Sequence, residues 1–238
     1  MNELVLQPIL SNLAEAHEEL ARLFARIQFI VFGAVVDESV KGWAENVARD
    51  ERTSPLDERA LFVSLFHAYR HLNFAWNCRH ESGERVRQCA PADFKRWSKF
   101  PEDAVFRDLW PAPSRCRGTP REPGRRRIAP SSFQAAFLQM AVRKLDILRY
   151  RITCALGTDS PGRVQRPKGL RPGMEAEPFT EEEFGRRLHR IYSEMNFAWA
   201  YRKRTHDERL SRRTVRQYGQ FSSVFLSAET VATVLGGR

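Results

Sequence analysis

Nowhere in this 238-residue chain is there an apolar run long enough to cross a bilayer. The longest, Phe29 to Val36, is broken only by Gly33 and is far too short. The first residues lack the basic-then-apolar order of a secretion signal, so no export segment and no membrane partner are expected. Cysteine is scarce: Cys78, Cys89, Cys116 and Cys154 form no CxxC pair, which points to free thiols in a reducing cytoplasm. A disulfide framework or a cysteine-bound metal is not expected. Also missing are a P-loop, a dinucleotide-binding glycine pattern, GxSxG, HExxH and a calcium loop. These absences lower the expectation of an enzyme without deciding the point, and no cofactor is called for. No convincing strand alternation is present, and its best candidate, Gln28 to Val36, reads as helix.

What the chain does have is one stretch that occurs twice. Pro55 to Arg79 reads PLDERALFVSLFHAYRHLNFAWNCR, and Pro178 to Arg202 reads PFTEEEFGRRLHRIYSEMNFAWAYR, aligned without a gap at a constant offset of 123. Identical pairs are Pro55/Pro178, Glu58/Glu181, Leu65/Leu188, Tyr69/Tyr192, Asn73/Asn196, Phe74/Phe197, Ala75/Ala198, Trp76/Trp199 and Arg79/Arg202. Around this core, LFARI (Leu23 to Ile27) faces LRYRI (Leu148 to Ile152), and FKRWSKF (Phe94 to Phe100) faces VRQYGQF (Val215 to Phe221). The expectation is an all-α helical bundle built from a tandem internal duplication with pseudo-two-fold symmetry, the runner-up being two beads on a linker. Residues 1–110 would form the first helical repeat, 111–130 a Pro/Gly/Arg-rich linker, and 131–238 the second repeat.

Local signals place the helices. Residues 1–10 read as an apolar lead-in interrupted by Pro8, followed by a helix from Ser11 to about Phe32 that Gly33 ends. A second helix is expected over Val36–Arg49, with Val40, Trp43 and Val47 on one face. Ser54 and Pro55 should open the first core helix, and Thr180 with Glu183 should make a capping box at the second. Leu61, Leu65, Ala68, Leu72, Trp76 and Arg79 form one helical stripe, with Phe184, Leu188, Ile191, Met195, Trp199 and Arg202 as its counterpart. Phe74 and Phe197 point away from these stripes, so each core helix should be covered on two sides, the sister copy being one candidate for the second cover. A short helix falls within Pro101–Trp110, and Ser131/Ser132 cap a helix from about Phe133 to Leu156. Gly157 to Glu177 reads as a loop, Glu208 to Phe221 as a basic helix, and Ser227 as the cap of a last short helix.

Charge is unevenly placed. The net charge is +10, yet residues 1–119 hold 16 basic and 17 acidic residues, leaving 23 basic and 12 acidic in the remainder. Such asymmetry suits a polyanion partner. The bland reading is a GC-rich bacterial genome, since only six of the 39 basic residues are Lys. Arg115 to Arg127 and Arg163 to Arg171 are Arg-rich loops. Arg202, Lys203, Arg204, Arg209, Arg212, Arg213 and Arg216 form a basic run whose last four members share one helix side. That stripe could follow a phosphate backbone or could be a solvated face.

The repeated Tyr-x3-Asn-x2-Trp-x2-Arg pattern also has two readings. Its side chains could stack on bases and bond phosphates. Alternatively, Tyr and Trp are core, Asn satisfies backbone, and Arg79 and Arg202 pair with carboxylates such as Glu58 or Glu181. His67 and His71 stand four apart, a spacing that can hold zinc, but no Glu lies between them and no third ligand is evident, so a solvated face is preferred. The Arg–His spacing of HEPN-type bundle ribonucleases is not met: His80 follows Arg79 directly, and only three residues separate Arg202 from His206. The leading expectation is a non-catalytic nucleic-acid-binding protein. In it Arg79, Arg202, Lys203, Arg204, Arg209, Arg212, Arg213 and Arg216 contact phosphate. Its rivals are a subunit that docks a protein partner and a bundle nuclease with its site between the copies.

Overall fold

The computed structural model describes residues 3–34, 56–101, 103–109, 127–157, 166–167 and 170–203. Of these, 76% are helical and none forms a strand; one isolated bridge pairs Asp57 with Arg127. Four long helices carry the fold: α1 (Leu6–Phe32), α2 (Glu58–Asn77), α6 (Ser132–Ala155) and α7 (Glu181–Ala200). Three short ones, α3 (Gly83–Gln88), α4 (Pro91–Trp97) and α5 (Ala104–Leu109), follow α2.

Their ends follow from local chemistry. α1 begins before Ser11 and includes Pro8, which costs little because N–H groups in a first helical turn have no intrahelical partner anyway. It stops at Gly33, whose φ of 72° is in the left-handed region and whose N–H closes on the Phe29 carbonyl. α2 opens at Glu58, not around Ser54 and Pro55, because Asp57 is the cap and accepts from the Ala60 N–H at 2.6 Å. Thr180 caps α7 by accepting from the Glu183 N–H at 3.1 Å. Only this half of the expected capping box forms, since the Glu183 carboxylate turns to Arg151 and Arg187 instead. Ser131 caps α6 through the Gln134 N–H at 3.3 Å.

α1 packs on α2 and α6, α6 packs on α7, and α2 meets α7. Neighbours run antiparallel. The Val5 N–H, before α1, donates to the Arg79 carbonyl just past α2, and Phe133 at the start of α6 stacks on Tyr201 just past α7. Leu13, Leu20 and Ile27 of α1, Leu61, Leu65 and Leu72 of α2, Leu138, Leu145 and Ile152 of α6, and Leu188 and Ile191 of α7 are all fully buried in one continuous core. Each such side chain contributes about 1.5–3 kcal/mol by leaving water. The α1–α2 and α6–α7 hairpins therefore form one packed body rather than separate beads.

Phe74 and Phe197 do lie off the core stripes, but neither is covered by the opposite hairpin. Phe74 packs under α4, with its ring 5.9 Å from Trp97 and 5.3 Å from Phe94. Phe197 stacks on Phe137 of α6 at 4.9 Å. The faces that meet across the hairpins are the Tyr, Trp and Leu stripes. After α4 the chain is pinned by Asn73 and Asn77, which donate to the carbonyls of Ser98 and of Trp97 and Lys99. It then lays α5 over the seam, with Phe106 5.0 Å from Trp76. α5 is the short helix expected within Pro101–Trp110. The expected helices at 36–49, 208–221 and after Ser227, and most of both Arg-rich loops, lie outside the described residues. No helix among the described residues is long and apolar enough to cross a membrane.

Candidate functional site

The repeated residues meet at the seam between α2 and α7, and they do so reciprocally. The Tyr69 hydroxyl donates to Asn196 Oδ1 at 2.5 Å, and the Tyr192 hydroxyl donates to Asn73 Oδ1 at 2.6 Å. The two rings stack with centroids 5.1 Å apart. Burial pushes both phenols well above their ordinary value, Tyr69 further through its tyrosine neighbour, so both stay O–H donors. Asn73 passes its amide to the Ser98 carbonyl, whereas Asn196 Nδ2 is buried with no partner among the described residues.

Arg79 and Arg202 are held the same way on opposite edges of this seam. Arg79 Nε meets Glu181 Oε1 at 2.5 Å, and Arg202 Nε meets Glu58 Oε1 at 2.7 Å. Each Nη1 donates to the carbonyl of the Trp three residues before it, Trp76 or Trp199, at 2.9 Å. Each guanidinium lies over that indole, at 4.1 Å for Arg79 and 3.6 Å for Arg202. Arg79 also reaches Asp103 at 3.2 Å, the carboxylate that accepts the Trp76 indole N–H. With side chains only 11% and 15% exposed, both arginines spend their donors on tying one hairpin to the other. Glu58 and Glu181, the first residues of α2 and α7, complete these clamps. The second reading of the Tyr-Asn-Trp-Arg pattern describes this seam.

Of the other expected phosphate contacts, Lys203 falls in the 3₁₀ turn Tyr201–Lys203. Arg204, Arg209, Arg212, Arg213 and Arg216 lie outside the described residues. The structure instead brings together cations that the sequence reading did not single out. On the outer side of the second hairpin, Met140, Arg143, Lys144 and Ile147 of α6 and Arg187 and Arg190 of α7 line an open groove of about 280 Å³. It continues past Arg186 toward Thr180 and Glu183. Lys144 is paired with Glu194, and Arg187 with Glu183 at 2.7 Å. Arg186 is exposed and only loosely held by Glu182 at 3.7 Å. Arg143 and Arg190 are exposed and make no ion pair among the described residues. Met140, in the groove lining, is 43% exposed, one of only three large apolar side chains so open among the described residues. His189 beside the groove is driven toward its neutral form by burial and then by Arg190.

The outer side of the first hairpin is different in kind. It presents Glu15, Glu18 paired with Arg22, and Glu19, which lies 3.8 Å from His67. Hydrogen bonding from His67 holds the Glu19 carboxyl below its ordinary value despite partial burial. His71 is kept toward its neutral form by burial, then by Arg70. No group of acidic, His and Cys residues fit to hold a metal occurs among the described residues. Cys78, Cys89 and Cys154 are free thiols, and burial pushes that of Cys78 up to about 12, which leaves it unreactive.

A third arginine, Arg151, braces the chain leading into α7. Arg151 is fully buried and grips both Glu183 oxygens, at 3.1 and 3.0 Å. It also donates to the carbonyls of Met174 and Glu177. This fixes the incoming chain, and Glu183 in turn aims Arg187 into the groove. Comparison with protein-family models, curated proteins and solved structures finds no match for this chain.

Proposed function

We propose that this chain is a tandem duplication whose two halves share a core but not a surface, and that the second half binds nucleic acid through its phosphates. The duplication is supported by the 25-residue match at the seam and by its reciprocal contacts. It is supported further by the burial pattern of α1 and α6, which carries the LFARI–LRYRI match toward the start of both helices. At an offset of 125, Leu13, Ala16, Leu20, Leu23 and Ile27 of α1 face Leu138, Ala141, Leu145, Leu148 and Ile152 of α6, identical in type and all buried. The same offset pairs Arg26 with Arg151. A pseudo-two-fold axis through the Tyr69–Tyr192 stack accounts for these pairs, and residues 1–110, 111–130 and 131–238 would be repeat, linker and repeat.

The observation that carries the functional reading is the contrast at matched outward positions. Glu18, Glu19, Ser64 and His67 of the first half correspond to Arg143, Lys144, Arg187 and Arg190 of the second. Two of these four positions change sign and the other two, Ser64 and His67, become Arg; a polyanion partner on one side accounts for that one-way gain of positive charge. The reading rests on these outward cations, on Arg186, and on the basic run from Lys203 through Arg204, Arg209, Arg212, Arg213 and Arg216. Arg79 and Arg202 serve it by holding the hairpins together. A cytoplasmic location belongs to the same proposal, supported by the unpaired thiols.

Titration of labelled single- and double-stranded RNA and DNA across a salt series tests it. A log–log slope steeper than roughly −3 is expected, each phosphate contact supplying about −0.7 to −0.9, with the ligand intact on a gel afterwards. Absence of binding to every ligand at low salt overturns it, and cleavage of the ligand would turn the reading toward a nuclease.

A further inference from the structure

Building on that reading, we infer that the α6–α7 groove receives an unpaired nucleobase between flanking phosphates, so that the protein prefers single strands to duplex. Charge alone does not account for the groove's make-up. Its lining includes an apolar pair, the open Met140 and the half-buried Ile147, beside Arg143 and Arg190, which are exposed and have no carboxylate partner among the described residues. A duplex offers phosphates along a rod and keeps its bases stacked inside, so it would engage the two arginines and leave Met140 in water. An unpaired base has two apolar faces and a polar edge. A polarizable thioether adapts to such a flat face, and a guanidinium both stacks on a base plane and bonds the adjoining phosphate. At about 280 Å³ the groove is near the lower end of small-ligand sites, about 300 Å³, which suits one nucleotide rather than a helix. The first hairpin lacks the device: Glu15 and Arg22 occupy the positions of Met140 and Ile147, which removes the apolar pair.

The test uses the full-length protein and two labelled probes of about 15 nucleotides, an oligouridylate and a self-complementary RNA duplex, chosen to span one single-strand site. Unlabelled uridine monophosphate and inorganic polyphosphate serve as competitors. The expectation is roughly tenfold tighter binding of the single strand, within the range that stacking one base supplies. Met140→Ala should weaken single-strand binding about threefold to tenfold through lost apolar contact, with the salt slope unchanged. Arg143→Gln with Arg190→Gln should make that slope shallower by about 1.4, two contacts at about 0.7 each. Met140→Gln, which keeps the shape but not the apolar surface, serves as a second variant, and thermal melting checks that each protein is folded. Competition by uridine monophosphate as effective as by the unlabelled strand would assign the groove to a free nucleotide and overturn the strand preference. Polyphosphate competing as well as the strand, or duplex bound equally with both Met140 variants inert, would overturn the base pocket while leaving phosphate binding standing. No salt-dependent binding of either probe would overturn the underlying reading as well.

Discussion

The inner and outer sides of the two hairpins have followed different rules. Inside, α1 and α6 bury the same residue types at the same spacing, and α2 and α7 exchange matched Tyr–Asn and Arg–Glu contacts. Outside, Glu18 and Glu19 stand where the other hairpin has Arg143 and Lys144. The difference shows which positions packing constrains. A buried position must keep volume, polarity and partner together, because losing any one costs kilocalories. An outward position costs little to change, so what accumulates there is free to follow a partner.

The seam can be broken most severely at its indoles. Trp76→Ala should cost about 3–5 kcal/mol in urea unfolding. It removes a fully buried ring that contacts Phe106, Phe184 and Arg79 and that bonds Asp103. Trp199→Ala should cost less within that range, since Trp199 is 4% exposed. A loss below about 1 kcal/mol from either variant would contradict a seam packed around its indoles. Next come the clamps. Glu58→Gln should destabilise by about 2–4 kcal/mol, because a nearly buried guanidinium loses its charge partner. Glu181→Gln should fall at the lower end of that range, since Arg79 keeps Asp103. No loss of stability from either variant in matched denaturant titrations would contradict the assigned geometry.

Smaller again is the hydroxyl pair. Tyr69→Phe and Tyr192→Phe should each cost about 1–2 kcal/mol, and a double-mutant cycle should show coupling, because the rings touch and each Asn answers the opposite Tyr. Additive losses would argue against a shared seam. Acid sensitivity tests the second hairpin at Glu183. Burial raises its carboxyl, but hydrogen bonds and charge from Arg151 and Arg187 outweigh this and hold it below the ordinary 4.5. The unfolded chain then takes up the proton first. The stability Glu183 contributes is therefore full above about 4.5 and is lost as pH falls through the lower folded value. Glu183→Gln should be less stable at neutral pH yet lose less on acidification; an unchanged acid profile would remove Glu183 from the account. The smallest effect on folding should come from Arg143→Gln with Arg190→Gln, within about 0.5 kcal/mol.

Much of the fold was legible because it is local or periodic. The stripes through Leu65 and Leu188, the Gly33 stop, and the caps at Thr180 and Ser131 all follow from spacing and side-chain chemistry. What escaped is what depends on distant chain. Nothing near Phe74 announces that Trp97 will cover it, and Glu58, which clamps Arg202, lies 144 residues away, so that clamp could be named only as one of two readings. The outer groove escaped for another reason. Its cations come from two helices and alternate with Asp146, Glu183 and Glu194, so no run of positive charge marks it. Reading the two halves against each other position by position, core pairs first, would have exposed the change of sign.

The most direct test is to cross-link a bound RNA strand to the protein with ultraviolet light and map the attached peptides. The account predicts adducts on the outward residues of α6 and α7, around Met140 to Ile147 and Arg186 to Arg190, and in the basic segment from Lys203 onward, with the α1–α2 face clear. Adducts centred on Glu15 to Arg22 or on His67 and His71, or none from any strand that binds, would contradict it.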